Sequence, residues 1–149
     1  MFEIAQTETS KRYIKVSGGY LMVLRQGDPL FPYLESLAKK ENIKSATFSG
    51  YGPANVKFGF SDKSTQEMPA KEFKNIVLVN FNGSMAWDDG NPSMRAYGVA
   101  AAENGQIIGG QVLEAIVEGG SFEIRIELMD KKLNRIHDES LKAKIMEIR

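Results

Sequence analysis

One stretch constrains this chain more than any other, because it carries a hairpin signal between two apolar runs. The runs are Ser93–Ala102 and Gln106–Gln111, and Glu103-Asn104-Gly105 separates them. Asn and Gly tolerate positive φ, so Asn-Gly between apolar runs predicts two antiparallel strands joined by a tight turn. The preceding Asp88–Pro92 predicts a loop, because Asp, Gly, Asn and Pro are typical turn residues. Trp87 is expected at the start of that loop, as a partly exposed aromatic residue.

Length and composition are those of an ordinary globular protein. The 149 residues favour one domain covering residues 1–149. The chain has no cysteine and no long uncharged apolar run, and Met1–Ile4 lacks the features of a signal peptide. We therefore expect a cytoplasmic protein that does not span a membrane. Nineteen basic and nineteen acidic side chains cancel, which gives no support for the basic surface that sequence-independent DNA binding needs.

The first part of the chain predicts two strands and a helix. Tyr13–Val16 and Tyr20–Arg25 are predicted strands, the second buried on both faces. Asp28 is the predicted helix N-cap and Pro29 the first helical residue. The helix is expected to end near Asn42. Its buried stripe, at helical spacing, comprises Leu30, Tyr33, Leu34, Leu37 and Ala38.

The rest of the chain predicts strands. Ser45–Ser49 and Ala54–Ser61 are two strands separated by a bend at Gly50–Pro53. Ile76–Phe81 predicts a buried strand that ends at Asn82-Gly83, and Phe122–Leu128 alternates strictly. Because only one crossover contains a helix, we expect an α+β fold. It would be a largely antiparallel sheet of about seven strands with one main flanking helix.

The chain also resembles the PPC (plant-and-prokaryote-conserved) domain family, from about Tyr20 to Asp138. The family pattern is a Gly-x-Pro loop, a His-x-His strand, a turn and a Gly-Gly-His run. Gly90-Asn91-Pro92 matches the loop, Gly109-Gly110 matches the diglycine, and Leu133–Asp138 matches a closing Leu-x-Arg-x-x-Asp. The resemblance implies the PPC fold of the bacterial and archaeal single-domain type, usually assembled as a homotrimer.

The three histidine positions of that pattern fall on Arg95, Tyr97 and Gln111. In the family the trio resembles a metal site. Arginine offers no lone pair at neutral pH, and His137 is the only histidine of this chain. We therefore expect the metal site to be lost, with no bound metal and no other cofactor.

Arg95, Tyr97 and Gln111 remain the candidate ligand-binding residues. Arg95 and Tyr97 share a face, because residues two apart on a strand point the same way. A two-residue turn would place Gly98 opposite Gln111. A three-residue turn with a left-handed Gly105 would place Tyr97 there, and we predict this second register because the trio requires it.

Two interpretations of the trio stay open. In one, Arg95 supplies a fixed positive charge suited to a carboxylate or phosphate. In the other, the trio is structural, with an ion pair such as Arg95–Glu114 and with Tyr97 as packing. The neighbouring small residues predict either packing of the helix or a subunit contact; they are Ala96, Gly98, Ala100, Ala101 and Ala102.

No residue set in the sequence supports an enzyme assignment. The first hypothesis is a non-enzymatic PPC-domain protein, a DNA-binding, regulatory or partner-recruiting module that acts as a homotrimer. DNA binding is implied by the family alone, since the chain has no Arg-Gly-Arg-Pro AT-hook core. The alternative is a protein that binds a small anionic ligand, or a metal-independent enzyme, using the cleft around Arg95, Tyr97 and Gln111.

Overall fold

The structure is a computed structural model that describes residues 11–59 and 69–148. Within these ranges it contains nine strands and one helix. The helix is α1 (Leu30–Lys40). The strands are β1 (Tyr13–Val16), β2 (Gly19–Leu24), β3 (Ser45–Gly59), β4 (Lys71–Asp88), β5 (Asn91–Ala101), β6 (Ile107–Val117), β7 (Phe122–Met129), β8 (Arg135–Asp138) and β9 (Ala143–Met146). The predicted α+β fold is confirmed. The predicted end of a strand at Ser61 lies outside the described residues.

Seven strands form one sheet in the order β1-β2-β7-β3-β4-β5-β6, and β8 and β9 form a separate hairpin. Every pairing between named strands is antiparallel. In addition, β6 pairs with the second half of β3, so β3, β4, β5 and β6 form a closed ring of pairings. The pairings are staggered along β6, because Ile107–Gln111 pair with β5 and Gln111–Val117 pair with β3.

The predicted division into two strands at Gly50–Pro53 is wrong, because β3 runs through this segment as one strand. The register with β4 shifts between Gly50 and Gly52, which marks a β-bulge. The first half of β3 pairs with β7, up to Tyr51, and the second half pairs with β6 from Ala54 onwards. A bulge bends a strand without ending its pairing, so one strand serves two neighbours here.

Two predictions of fully buried strands are also wrong. In β2, Val23 is exposed, and in β4 the side chains of Val77 and Val79 are exposed whereas Ile76 and Leu78 are buried. The sheet is covered on one face, so its strands alternate even where both faces carry apolar residues. Strand β4 also continues past Asn82-Gly83 to Asp88, because β3 and β5 pair with it on both sides.

Helix α1 buries the predicted stripe, which is confirmed residue by residue. Its N-terminus differs from the prediction: Pro29 is the N-cap, and Asp28 makes no capping bond. Asp28 instead accepts hydrogen bonds from Arg12 Nε at 2.7 Å and from the backbone N–H of Arg25 at 2.8 Å. The helix ends at Lys40, two residues before the predicted position. No helix in the described part of the chain is long and apolar enough to cross a membrane.

The core lies between α1 and the inner face of the sheet. Phe81 of β4 is fully buried at its centre. Its ring centroid lies 6.1 Å from that of Phe31 in α1, 5.4 Å from that of Phe48 in β3 and 5.6 Å from that of Phe122 in β7. One aromatic cluster therefore joins the helix to three strands.

Candidate functional site

The candidate site lies on the outer face, which we define as the side of β4, β5 and β6 that carries Asn82, Arg95, Tyr97, Val99 and Gln111. Tyr97 lies opposite Gln111 on β6 and opposite Asn82 on β4. Tyr97 is about half exposed, at 51%. The predicted register is confirmed.

The turn between β5 and β6 explains this register. Ala102 N–H donates to the carbonyl of Gln106 at 2.9 Å, so three residues form the loop between them. Gly105 is left-handed, with φ of 83°. Asn104 Oδ1 accepts the backbone N–H of Gln106 at 2.9 Å. A three-residue loop that ends in a left-handed glycine was the predicted geometry.

The turn between β4 and β5 is tighter than predicted. Asp88 pairs with Asn91, so only Asp89 and Gly90 lie between the two strands. Both have positive φ, 50° and 82°, which is the geometry of a type I′ turn. Trp87 therefore belongs to β4 and not to a loop. Its indole N–H donates to the carbonyl of Ile43 at 2.9 Å.

Arg95 shares the outer face with Tyr97, but its guanidinium turns towards the β8–β9 hairpin. Its Nη2 donates to the carbonyl of Lys144 at 2.7 Å. The predicted Arg95–Glu114 ion pair is wrong, because Glu114 pairs with Lys57 at 3.5 Å. Within the described residues, Arg95 has no carboxylate at ion-pair distance.

A buried arginine beside Arg95 was missed as a site residue. Arg135 of β8 is 6% exposed. Its Nε donates to Ser93 Oγ at 2.9 Å, and its Nη2 donates to the carbonyl and the hydroxyl of Ser84, each at 3.1 Å. Burial lowers the pKa of the Arg135 guanidinium, and the positive charge of Arg95 lowers it further. The only signal in the sequence was the closing Leu-x-Arg-x-x-Asp.

Arg135 fastens the β8–β9 hairpin over one end of the outer face. Ser84 and Ser93 lie on β4 and β5, and Lys144 Nζ of β9 bonds Asp88 Oδ2 at 2.7 Å. Asp138 closes the hairpin turn by accepting the N–H of Leu141 at 3.0 Å. The hairpin therefore covers the outer face near Arg95 and leaves the part near Tyr97 open.

The open part of the outer face is largely apolar. Val79, Val99 and Ile107 are exposed, Ile107 at 66%. Val99 pairs with Gly109 and Ala101 pairs with Ile107, so Val99 and Ile107 are diagonal neighbours. Exposed apolar groups that adjoin one another on one face are typical of an interaction surface.

The outer face does not fit a metal ion. The guanidinium of Arg95 can only donate, and it donates to a backbone carbonyl. His137 lies 3.2 Å from the carboxylate of Glu139 and is about half exposed. In the described ranges, no group of three or more His, Cys, Asp or Glu side chains could hold a metal ion.

Of the small residues of β5, Ala96, Gly98 and Ala100 lie on the opposite, inner face, whereas Ala101 lies on the outer face opposite Ile107. Ala96 and Ala100 are buried in the same core cluster as the apolar residues of α1. A Cβ added to Gly98 would lie 2.9 Å from Leu78 Cδ2 and 3.1 Å from Val112 Cγ2. The interpretation of these residues as packing for the helix is therefore supported.

Fold and site together define a small α+β protein whose sheet is covered by a helix on its inner face and has a partly apolar outer face. The chain belongs to the Plants and Prokaryotes Conserved (PCC) domain family, whose sequence profile matches residues 12–128. This is the family indicated by the resemblance. The match ends before β8, so the β8–β9 hairpin lies outside it.

Solved structures agree with this family. A protein of Ralstonia eutropha JMP134, named as a putative DNA-binding protein, is 36% identical with a TM-score of 0.91, over 95% of this chain and 99% of that one. A PPC protein of Pyrococcus horikoshii is 26% identical with a TM-score of 0.74, over 87% and 92% of the two chains.

A third structure, from Bacteroides thetaiotaomicron and also named as a putative DNA-binding protein, is similar in fold. It is 18% identical with a TM-score of 0.82, over 91% of this chain and 95% of that one. No curated protein matches the sequence at a significant level.

Proposed function

We propose that this protein is a non-enzymatic regulatory module of the cytoplasm that assembles as a homotrimer and associates with DNA. The observation that carries the assembly is the open, apolar part of the outer face around Val79, Val99 and Ile107. The family resemblance supports three copies. The names of two similar structures, one of them 36% identical, support an association with DNA.

The outer face suits a subunit contact for a physical reason. Covering Val79, Tyr97, Val99 and Ile107 would remove apolar surface from water, at about 25 cal/mol for each Å². A closed assembly buries the same patch on every copy. The β8–β9 hairpin protects only the end near Arg95, so another chain is needed to cover the rest.

Light scattering coupled to size exclusion tests the assembly. The parent protein should have three times the 16.6 kDa mass of one chain. The double variant Val99→Glu with Ile107→Glu should give a mass nearer one chain, because it places two charges in the contact. The matched control is Ile14→Glu with Leu141→Glu, two residues that are also exposed but belong to β1 and to the turn of the β8–β9 hairpin, outside the patch around Val79, Val99 and Ile107. A monomeric parent, or equal loss of mass in both variants, would contradict the proposal.

A gel shift with duplex DNA tests the second half of the proposal. The complex should form at low salt and weaken as salt rises, because phosphate contacts displace bound counterions. Absence of a shift at both low and moderate salt would remove DNA from the proposed function and leave the assembly standing.

A second candidate function is binding of a small anion at Arg95, with Tyr97 and Gln111 as hydrogen-bonding neighbours. The observation that favours it is the guanidinium of Arg95, which has a backbone carbonyl but no carboxylate as partner in the described part of the chain. Such a group can accept a carboxylate or phosphate on its remaining N–H donors.

Thermal melting in citrate and in sodium chloride, at equal ionic strength, tests this second function. We expect citrate to raise the Tm of the parent but not that of Arg95→Ala. Arg125→Ala is the control, because Arg125 is an exposed arginine on another strand of the sheet, 3.8 Å from Glu127. Equal citrate effects in all three proteins would contradict the anion site.

A further inference from the structure

Four exposed lysines lie at one end of the molecule, and we call this group the lysine end. Lys15 belongs to β1, Lys44 precedes β3, and Lys131 and Lys132 follow β7. In the sequence these segments are separated by tens of residues. Their proximity is therefore a property of the fold.

Three sets of contacts bring the lysines together. A surface groove of about 410 Å³ is lined by Lys15 and Lys44 together with the carboxylates Glu41 and Asp130. The hydroxyl of Ser45 donates to the carbonyl of Lys131 at 2.5 Å. Lys132 Nζ lies 5.0 Å from the centre of the Trp87 ring.

Charge is concentrated at this end although the whole chain is neutral. The four lysines and the two carboxylates that lie among them, Glu41 and Asp130, give this end a net charge of +2. Glu41 accepts hydrogen bonds from the hydroxyls of Tyr13 and Tyr20. None of the four lysines has a carboxylate at ion-pair distance within the described ranges.

Acidic groups border the lysine end on the β4–β5 turn and at Glu127 of β7, which pairs with Gly19. Asp88 is paired with Lys144 at 2.7 Å, and Asp89 is exposed at the tip of the turn. These carboxylates limit the positive surface on one side, beyond Trp87. The remaining surface, from Lys15 to Lys132, presents exposed ammonium groups that have no carboxylate at ion-pair distance in the described part of the chain.

We propose that the lysine end binds the phosphate backbone of duplex DNA. The inference rests on the association with DNA proposed above, and it assigns the surface that makes the contact. Flexible ammonium groups bind phosphates as point charges and carry no information about base sequence. Binding through this end should therefore be independent of sequence and strongly dependent on salt.

Fluorescence anisotropy with a labelled random duplex of about 20 base pairs, at salt concentrations of about 50 to 200 mM, tests the proposal. The test variant replaces Lys15, Lys44, Lys131 and Lys132 by Gln. The control replaces Lys11, Lys71, Lys74 and Lys142 by Gln, which removes the same charge from lysines that are also exposed. Lys71 and Lys74 lie on β4, near the end of β3 opposite to Lys44.

The test variant should bind at least about tenfold more weakly than the control at equal salt. Its plot of log affinity against log salt should lose about 0.9 of slope for each phosphate contact removed. Trp87 is the only tryptophan and adjoins Lys132, so DNA should protect its fluorescence from acrylamide in the parent and the control.

Each outcome decides between the two proposals. Suppose that the parent binds DNA and that both variants lose affinity alike, or that Trp87 is unprotected in the DNA complex. The lysine end is then not the surface that contacts DNA, and the association with DNA stands. If the parent does not bind DNA at about 50 mM salt, both fail. Tighter binding of an RNA duplex of equal length would assign the surface to RNA and overturn the proposal.

Discussion

The two faces of β5 are built from alternate residues of one strand, yet their side chains differ in size and in exposure to solvent. The inner face carries small residues, Ala96, Gly98 and Ala100, all buried. The outer face carries Tyr97 and Val99, which are large and exposed. Packing within the chain explains the inner residues. It does not explain the outer ones, which are the basis of the proposed subunit contact.

The largest difference in stability should be between substitutions on the two faces, within two adjacent cross-strand pairs of β4 and β5. Phe81 pairs with Gly98 on the inner face, and Asn82 pairs with Tyr97 on the outer face. Phe81→Ala should lower the free energy of unfolding by about 3–5 kcal/mol, because it empties the centre of the aromatic cluster. Tyr97→Ala should change the stability of the single chain by about 0.5 kcal/mol or less. Urea unfolding at one fixed protein concentration measures both.

Phe81→Leu is the control for this comparison, since it keeps most of the apolar volume and should be milder than the alanine variant. A Tyr97→Ala variant that unfolds as readily as Phe81→Ala would show that assembly contributes as much stability as the core. Dilution of the protein would then lower the urea midpoint of Tyr97→Ala less than that of the parent.

Gly98→Val should have the next largest effect. A Cβ at this position lies 2.9 Å from Leu78 Cδ2 and 3.2 Å from the carbonyl oxygen of Asn80, so the side chain would overpack the inner face. We expect a loss of about 1–3 kcal/mol in urea unfolding. Val99→Ile, an enlargement on the exposed face of the same strand, is the matched control and should be nearly neutral. A stable Gly98→Val protein would mean that the inner face has room to relax.

A third prediction compares two arginines at the covered end of the outer face, Arg135 and Arg95. Arg135→Met removes a buried donor and leaves Ser84 and Ser93 without it, which should cost about 1–3 kcal/mol. Arg95→Met removes one bond to the carbonyl of Lys144 and should cost about 1 kcal/mol. Hydrogen exchange of residues 135–146 should quicken more in the Arg135 variant. The reverse order would show that Arg95, and not Arg135, fastens the β8–β9 hairpin.

Much of this architecture could be predicted from the sequence, because it depends on local signals. The stripe of α1 follows helical spacing, and Glu103-Asn104-Gly105 specifies its turn through one left-handed glycine. The errors arose where strands distant in sequence decide the burial of a side chain or the path of a strand. Val77 and Val79 appeared buried because their apolar character suits an interface as well as a core. The bend at Gly50–Pro53 became a bulge because β6 and β7 both pair with β3.

The candidate site was predictable only in part. The register of Tyr97 and Gln111 followed from the turn, whereas the partner of Arg95 did not, since Lys144 lies 49 residues away in the chain. The lysine end had no signal in the sequence, because the total charge of zero conceals a local net charge of +2. Charge balance describes a whole chain, and surfaces depend on how the fold distributes it.

The smallest predicted effect concerns the edge of the sheet, far from either face of β5. Tyr13 donates to Glu41, and burial together with this carboxylate raises the pKa of the Tyr13 phenol well above its usual value of about 10. Above that pH the unfolded chain loses the proton and the folded chain keeps it, so stability should fall as pH rises. Urea midpoints at alkaline pH should decrease less in Tyr13→Phe than in the parent, whereas Tyr51→Phe, which changes an exposed tyrosine, should behave as the parent does. Parallel decreases in all three proteins would show that the bond between Tyr13 and Glu41 does not hold β1 against α1.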